Sequence, residues 1–430
     1  MTIQSTYGTW GSFTWPFPRV LYNGQQFIGF ALESTNLYVF EMRIEEGDWT
    51  ATYIASLGTA SEIVSVDVAG FGKYYVLAVE TDEITCYAKD VSVPIGTSSL
   101  TEFSPATGVV GSTVCNFKGQ VIFGNLFSQN SKWSELGQCS VAWSGIGNAV
   151  FDPSIDPSAG MITMPWDNNR NGRVYKVKRL GKTIAVYGDN GRALLVPFSV
   201  ERTTGFGLRE LTGLGIPQQT CVGGDTKTHC FIDQNHNVWI ATDKPTFEKL
   251  GYKEWMDDLF ESGNDVVISY SQGEKNFYIS DGNYCFVLTE HGMYSTNQCH
   301  TCVFDFGSTL GGLFYDNTDY EPRLTFSQTD FGIRGLKTLE SMDFHANHDH
   351  ATELMYGRVD VRYDYKSGFR NGSWIRLNDV GTITPIMTGN DFKIRFKGPT
   401  YTAVTELTIE DVVSRIKAVD KRGIRGTYGN

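Results

Sequence analysis

The feature that most constrains this chain is a recurring group of short strands. Residues 36–42 (NLYVFEM), 73–79 (KYYVLAV), 83–88 (EITCYA), 120–124 (QVIFG) and 183–187 (TIAVY) are β-branched or aromatic runs bounded by turn residues. Asn23-Gly24, Lys118-Gly119, Asp189-Asn190-Gly191, Asp281-Gly282-Asn283 and Glu290-His291-Gly292 separate such runs; positive φ is cheap there and antiparallel hairpins result. The strands cluster in threes over 19–42, 63–89, 112–143, 174–198, 218–242 and 266–289. Their last members recur at roughly 45 to 55 residues, the length of one four-stranded propeller blade. Such repetition lets each sheet bury its faces on its neighbours. The predicted fold is all-β: a β-propeller of about six blades over residues 1–316.

The grouping stops near Gly312. Residues 323–327, 339–346, 357–365, 373–377, 392–397 and 406–409 read as strands of a C-terminal β-sandwich-like module over 317–430, with turns at Lys366-Ser367-Gly368 and Arg370-Asn371-Gly372. One helix interrupts the pattern. Residues 247–260 (FEKLGYKEWMDDLF) set Leu250, Trp255, Leu259 and Phe260 near one face, which predicts a short amphipathic helix packed on the propeller flank or offered to a partner.

At 430 residues one small core cannot account for the chain, and 41% hydrophobic with 20% charged residues excludes disorder and coiled coil. The formal charge of −12 argues against wrapping duplex DNA by phosphate neutralisation. No apolar run approaches the roughly 18 residues of a membrane span. Residues 1–15 lack the basic and apolar regions of a secretory signal. Most of the eight cysteines, among them Cys86, Cys115, Cys230 and Cys285, sit in apolar runs and read as packed thiols made in a reducing compartment. Against the acidic body, residues 411–430 form a basic tail, with Arg415, Lys417, Lys421, Arg422 and Arg425 against Asp411 and Asp420.

Candidate chemistry is sparse. His345, His348 and His350 lie within six residues but match no fixed ligand spacing, and Cys299-His300-Thr301-Cys302 lacks the second pair a structural zinc needs. Gly70-Phe71-Gly72-Lys73 lacks the Ser/Thr and helix of a phosphate loop and reads as a hairpin turn; Gly205-Phe206-Gly207 fails the dinucleotide fingerprint. Asp67, Glu80, Asp189, Asp233 and Glu290 fall at strand ends, where propeller glycosidases place their acids, but hairpins need such residues too. Asn371-Gly372-Ser373-Trp374 resembles a single sialidase Asp-box without its Asp. The expectation is no catalytic centre, no cofactor and no metal. The competing expectation is a carbohydrate-binding or glycoside-hydrolysing propeller, with Trp143, Trp166 and Trp239 exposed along a sugar cleft.

Several segments resemble tail-hub proteins of short-tailed double-stranded DNA bacteriophages. They are residues 174–199 (VYKVKRLGKTIAVYGDNGRALLVPFS), 213–240 with its Gly213-Leu214-Gly215-Ile216 turn and closing HNVWI, and 277–289 followed by Gly292. Further on, Asp330-Phe331-Gly332, Lys337, 392–396 (FKIRF) and a closing basic strand around 415–425 extend the likeness over most of 110–430. The resemblance implies a structural virion protein of the tail, made in the host cytoplasm. Such a hub or nozzle is a homo-oligomeric ring, six-fold by expectation, that continues the head-to-tail channel, retains and conducts the genome, and joins portal and adaptor proteins to tail fibres or spikes. It carries no catalytic residues. In a ring of acidic protomers the basic tail would face a neighbour's acidic surface.

Overall fold

A computed structural model of the chain describes residues 4–419 apart from loop stretches, chiefly 10–20, 93–99, 167–171, 317–322, 348–354 and 399–407. The chain divides into two compact units, 1–282 with 300–314, and 283–299 with 315–430.

The first unit is built from consecutive antiparallel meanders. Four sheets each use four strands adjacent in sequence: 65–102, 109–163, 174–211 and 222–251. Before them, strands Leu21–Asn23, Gln26–Glu33, Asn36–Glu45 and Asp48–Thr59 form a fifth meander, extended by two short N-terminal strands. Hairpin Val267–Ser271/Asn276–Ser280 follows the last four-stranded sheet. Apolar side chains from consecutive sheets interleave. Ile28, Phe30 and Val39 pack with Val66 and Leu77; Val76 and Ala78 pack with Val114 and Phe123; Phe117 and Ile122 pack with Val177 and Val186; Tyr187 and Leu194 pack with Phe231 and Ala241. Four-stranded meanders stacked face to face in chain order are propeller blades.

The sequence reading recovers three strands per blade and misses the fourth. Those strands are Thr101–Glu102, Gly160–Thr163, Thr203–Leu211 and Phe247–Gly251. An outer strand packs little of its surface, so it carries weaker alternation; Thr101 and Glu102 are both exposed. The predicted helix also begins too early. Phe247–Gly251 is strand, and the chain turns through left-handed Gly251 (φ +90°) and Tyr252 (φ +60°) into helix Lys253–Glu261. Trp255, Met256 and Leu259 form its buried face.

The second unit is a β-sandwich. One layer contains Arg323–Phe326, Asp391–Lys397, Tyr356–Arg362 and Ile375–Arg376 in that order, with hairpin Cys285–Thr289/Gly292–Thr296 beside the first. The other centres on Lys337–Asn347, which pairs with Thr382–Ile383, Met387–Gly389 and, over most of its length, Thr408–Ala418. Leu339, Met342 and Phe344 from this layer meet Val359, Val361, Phe392, Ile394 and Phe396 from the first. Lys337 is wholly buried, and its ammonium donates to the carbonyls of Ile333 (2.6 Å), Gly335 (3.1 Å) and Asn390 (2.6 Å).

Candidate functional site

The densest buried polar cluster among the described residues lies where the first strands of neighbouring blades meet. Asp67, on the first strand of the 65–102 blade, receives the Lys176 ammonium at 2.6 Å, both side chains being 4% exposed. Its second oxygen accepts from the Thr113 hydroxyl (2.7 Å) and the Val114 N–H (3.1 Å). Thr113 Oγ1 in turn accepts from the Val177 N–H at 3.1 Å. One carboxylate and one hydroxyl thus join the 65–102, 109–163 and 174–211 blades.

A second cluster surrounds Glu80. Arg173 donates to both its oxygens, at 2.6 and 2.5 Å, with Ser65 at 2.8 Å and the Asn125 amide at 3.3 Å. Asn125 also donates to Ser112 Oγ, while the Gln219 side chain reaches the Ser112 carbonyl. Asn125 is fully buried at φ +53°, a conformation Asn tolerates better than most residues. These clusters hold two carboxylates and two cations, so the local charge is balanced. Sequence reasoning found Asp67 and Glu80 but missed Lys176, Thr113, Arg173, Ser112 and Asn125. The trace they leave is a polar residue on the inner strand, as Lys176 in VYKVKRL.

The remaining strand-end acids do not converge on these two. Asp189 caps the N–H groups of Arg173 and Asn190. Asp233 closes the turn before the Val238–Thr242 strand, accepting from Asn235 N, Asn237 N and Trp239 Nε1. Glu290 is exposed beside His291. The indoles expected along a sugar cleft are placed otherwise: Trp143 and Trp166 are buried in the core between blades, and Trp239 stacks on Phe231 at 6.0 Å. Aromatic side chains in a propeller fill inter-blade cores, which sequence alone does not separate from a cleft.

A buried histidine lies between the 174–211 and 222–251 blades. His229 Nδ1 meets the Tyr187 hydroxyl at 2.9 Å and Nε2 the Arg179 carbonyl at 3.0 Å. Burial, reinforced by nearby Lys178, pushes its pKa down to about 3, so the ring is neutral. Burial likewise pushes the Cys86 and Cys115 thiols up to about 12, and the six cysteines described are free and buried.

Asn371-Gly372-Ser373-Trp374 is a loop whose Gly372 N–H donates to Asp360 at 3.0 Å. Gly70 and Phe71 end one strand and Lys73 lies in the tight turn to the next; Gly205-Phe206-Gly207 is strand. His345 pairs with Asp411 in the sandwich ladder; His348 and His350 lie outside the described residues. The backbone of Cys299 and Cys302 is strand Gln298–Phe306. No cluster of His, Cys, Asp and Glu able to hold a metal occurs among the described residues. Nor is any described helix long and apolar enough to cross a membrane.

The start of the expected basic tail is strand, Thr408–Ala418, antiparallel to Lys337–Asn347. Arg415 and Lys417 are exposed on it, whereas Lys421, Arg422 and Arg425 lie outside the described residues.

No family model and no curated protein sequence matches the chain. Among solved structures, BamB from Moraxella catarrhalis aligns at 10% identity and TM-score 0.35, over 69% of this chain and 90% of its own. The WD40 domain of Toxoplasma gondii coronin aligns at 9% and 0.36, over 88% and 80%. YCF48 bound to D1 peptide aligns at 9% and 0.37, over 76% and 95%. With similarities this low, the propeller assignment rests on the chain's own sheet topology.

Proposed function

We propose that this chain is a non-catalytic structural protein of a tailed bacteriophage. It forms a tail-hub or nozzle ring that continues the head-to-tail DNA channel and connects adaptor to distal tail proteins. The observation that carries the non-catalytic part is the engagement of the strand-end acids. Asp67 and Glu80 hold Lys176 of the 174–211 blade and Arg173 just before it, and Asp189 and Asp233 cap backbone and side-chain donors. A general acid or nucleophile needs a carboxylate aimed at a reactant, and these are aimed at the fold. The virion part is supported by the resemblance over 174–199, 213–240 and 392–396, and by a two-unit architecture offering more surface than one propeller needs.

Homo-oligomerisation, portal and adaptor contact, tail-fibre attachment and passage of double-stranded DNA belong to this proposal. The test is electron microscopy and sedimentation of the protein alone and mixed with a portal–adaptor complex. Rings that cap the complex support it; a protein that never joins the complex sinks it. Hydrolysis of a glycan panel, abolished by Glu80→Gln or Asp67→Asn in a variant that still folds, would favour the carbohydrate-active alternative.

A further inference from the structure

The second layer of the sandwich stops short of the first. A Cβ on Gly357, in strand Tyr356–Arg362, would lie 2.7 Å from Ile383 and 2.9 Å from Phe344, and the Phe344 ring packs on Phe396 with centres 5.5 Å apart. These contacts set Thr382–Ile383 over Tyr356–Arg362 and Lys337–Asn347 over the seam with Asp391–Lys397. Sheet order then carries Thr408–Ala418 over Arg323–Phe326 and, among the described residues, leaves no second-layer strand over Gly292–Thr296.

Burial records the gap. Along the inward face of the first layer Phe396 is 1% exposed, Leu324 and Phe326 are half-buried, and Tyr294, paired with Leu324, is 37% exposed. Gly292, paired with Phe326, adds no side chain there. From the second layer Val412 and Ile416 pack against the same core and are also only half-buried.

The wall of this gap is an open sheet edge. Val419 donates its N–H to the Leu336 carbonyl at 3.0 Å, and backbone direction alternates along a strand, so residues 413, 415 and 417 also turn toward Lys337–Asn347. The N–H and C=O groups of Val412, Ser414, Ile416 and Ala418 point the other way, where no described strand pairs with them. The outer face of the same strand carries Val413, Arg415, Lys417 and Val419, all exposed. Neither cation makes an ion pair among the described residues.

We propose that this edge takes up a strand from a partner protein, an extended segment of about seven residues in which apolar and acidic side chains alternate. Seven residues span about 23 Å, the length of 412–418. The added strand pairs with the four outward-pointing residues, lays its apolar side chains over Tyr294, Leu324 and Phe326, and sets its acids beside Arg415 and Lys417. A second copy is the poorer occupant. Pairing two such edges sets Arg415 and Lys417 beside their counterparts, and like charges across a strand pair repel. The two cations thus select against this chain and for an acidic strand. Only the second unit enters this assignment, so it goes beyond the ring reading and is tested apart from it.

The test uses the full chain and three fluorescein-labelled seven-residue peptides: valine alternating with glutamate, the same pattern with lysine for glutamate, and the acidic composition with its glutamates in one block. Fluorescence anisotropy is expected to show the alternating acidic peptide binding at least about tenfold more tightly than either control. Ser414→Pro removes an N–H from the open edge and none from the ladder to Lys337–Asn347. It should weaken that binding at least about tenfold, with circular dichroism and the urea midpoint close to the parent's. Arg415→Glu/Lys417→Glu should turn the preference to the lysine peptide. Hydrogen exchange reads the same edge without a variant: in the free protein the Ser414 and Ile416 amides exchange faster than those of Val413 and Arg415, and the acidic peptide slows them. Equal affinity for the alternating and block peptides means charge attraction alone and overturns strand addition. Slow exchange at Ser414 and Ile416 in the free protein means that the chain covers its own edge, and overturns the docking site. Concentration-dependent self-association that Ser414→Pro abolishes, without peptide binding, makes a second copy the occupant and overturns the partner strand.

Discussion

Substitution of Lys176 by methionine tests whether one ion pair ties three blades together. Asp67 and Lys176 are 4% exposed, and Asp67 also holds the Thr113 hydroxyl and the Val114 N–H. Lys176→Met keeps most of the aliphatic volume but leaves the carboxylate buried without its counter-charge. Breaking one partner of a buried pair costs about 3–5 kcal/mol, because the surviving charge cannot regain water. At an m-value of about 3 kcal/mol/M, the upper end of the usual urea range, that lowers the midpoint by about 1–1.7 M. Asp67→Asn alone should destabilise by a similar mechanism, stranding the ammonium. The double variant Asp67→Asn/Lys176→Met removes both charges, so its loss should be smaller than the sum of the two single losses by about 2 kcal/mol or more. Equilibrium urea unfolding, followed by tryptophan fluorescence and circular dichroism on all four proteins, closes the cycle. Single losses below about 1 kcal/mol, or strictly additive ones, would refute the assignment of this pair as an inter-blade tie.

Further outcomes follow from other buried groups. His229 is neutral in the folded protein with its pKa near 3, against 6.5 when unfolded. The unfolded chain therefore binds the extra proton between these values: stability is full above pH 6.5 and falls on acidification by up to about 1.4 kcal/mol per unit. His229→Gln should remove close to one proton from the pH dependence of the urea midpoint between pH 6 and 4; an unchanged slope counts against a buried neutral ring. Lys337→Met deprives three inward-facing carbonyls of their donor and should cost about 2–4 kcal/mol, read as earlier proteolysis at the 329–336 loop; parent-like resistance would mean water replaces the ammonium. A Cβ on Gly223 would lie 2.5 Å from the Ile268 carbonyl oxygen, so Gly223→Ala should lower the melting temperature by several degrees, a loss of about 1–3 kcal/mol. No shift there would mean that the 267–280 hairpin yields freely.

Strands with one buried face were legible because period-two alternation is a property of neighbouring residues. The run KYYVLAV at 73–79 lies almost wholly within strand Tyr74–Glu80, and TIAVY at 183–187 within Thr183–Gly188. Phe247–Gly251 was not legible as strand. Its residues continue without a break into a helical pattern, and what separates the two is a pair of left-handed backbone positions, one at a tyrosine. The basic tail was read from composition alone, which cannot show that Arg415 and Lys417 alternate along a strand paired with Lys337–Asn347. Lys176 was missed for a related reason. A lysine in a strand reads as solvent-facing until its partner is known, and Asp67 belongs to a different blade.

The same non-local logic explains why acids at strand ends discriminate poorly between a catalytic and a structural propeller. Inner strands of neighbouring blades approach closely, and each brings backbone donors that its own sheet leaves unpaired. A carboxylate at such a junction can satisfy donors from two blades at once, as Asp67 does for Val114 N–H and the Lys176 ammonium. Position along the strand is therefore set by the architecture. What separates the roles is the identity of the partners: a carboxylate free to meet substrate needs the opposing blade to present small or apolar residues. Here the opposing blade presents Lys176 opposite Asp67, and residue 173, just before that strand, is the Arg opposite Glu80. Pairing on this pattern ties the carboxylates of one blade to cations of another and stiffens the junction between blades.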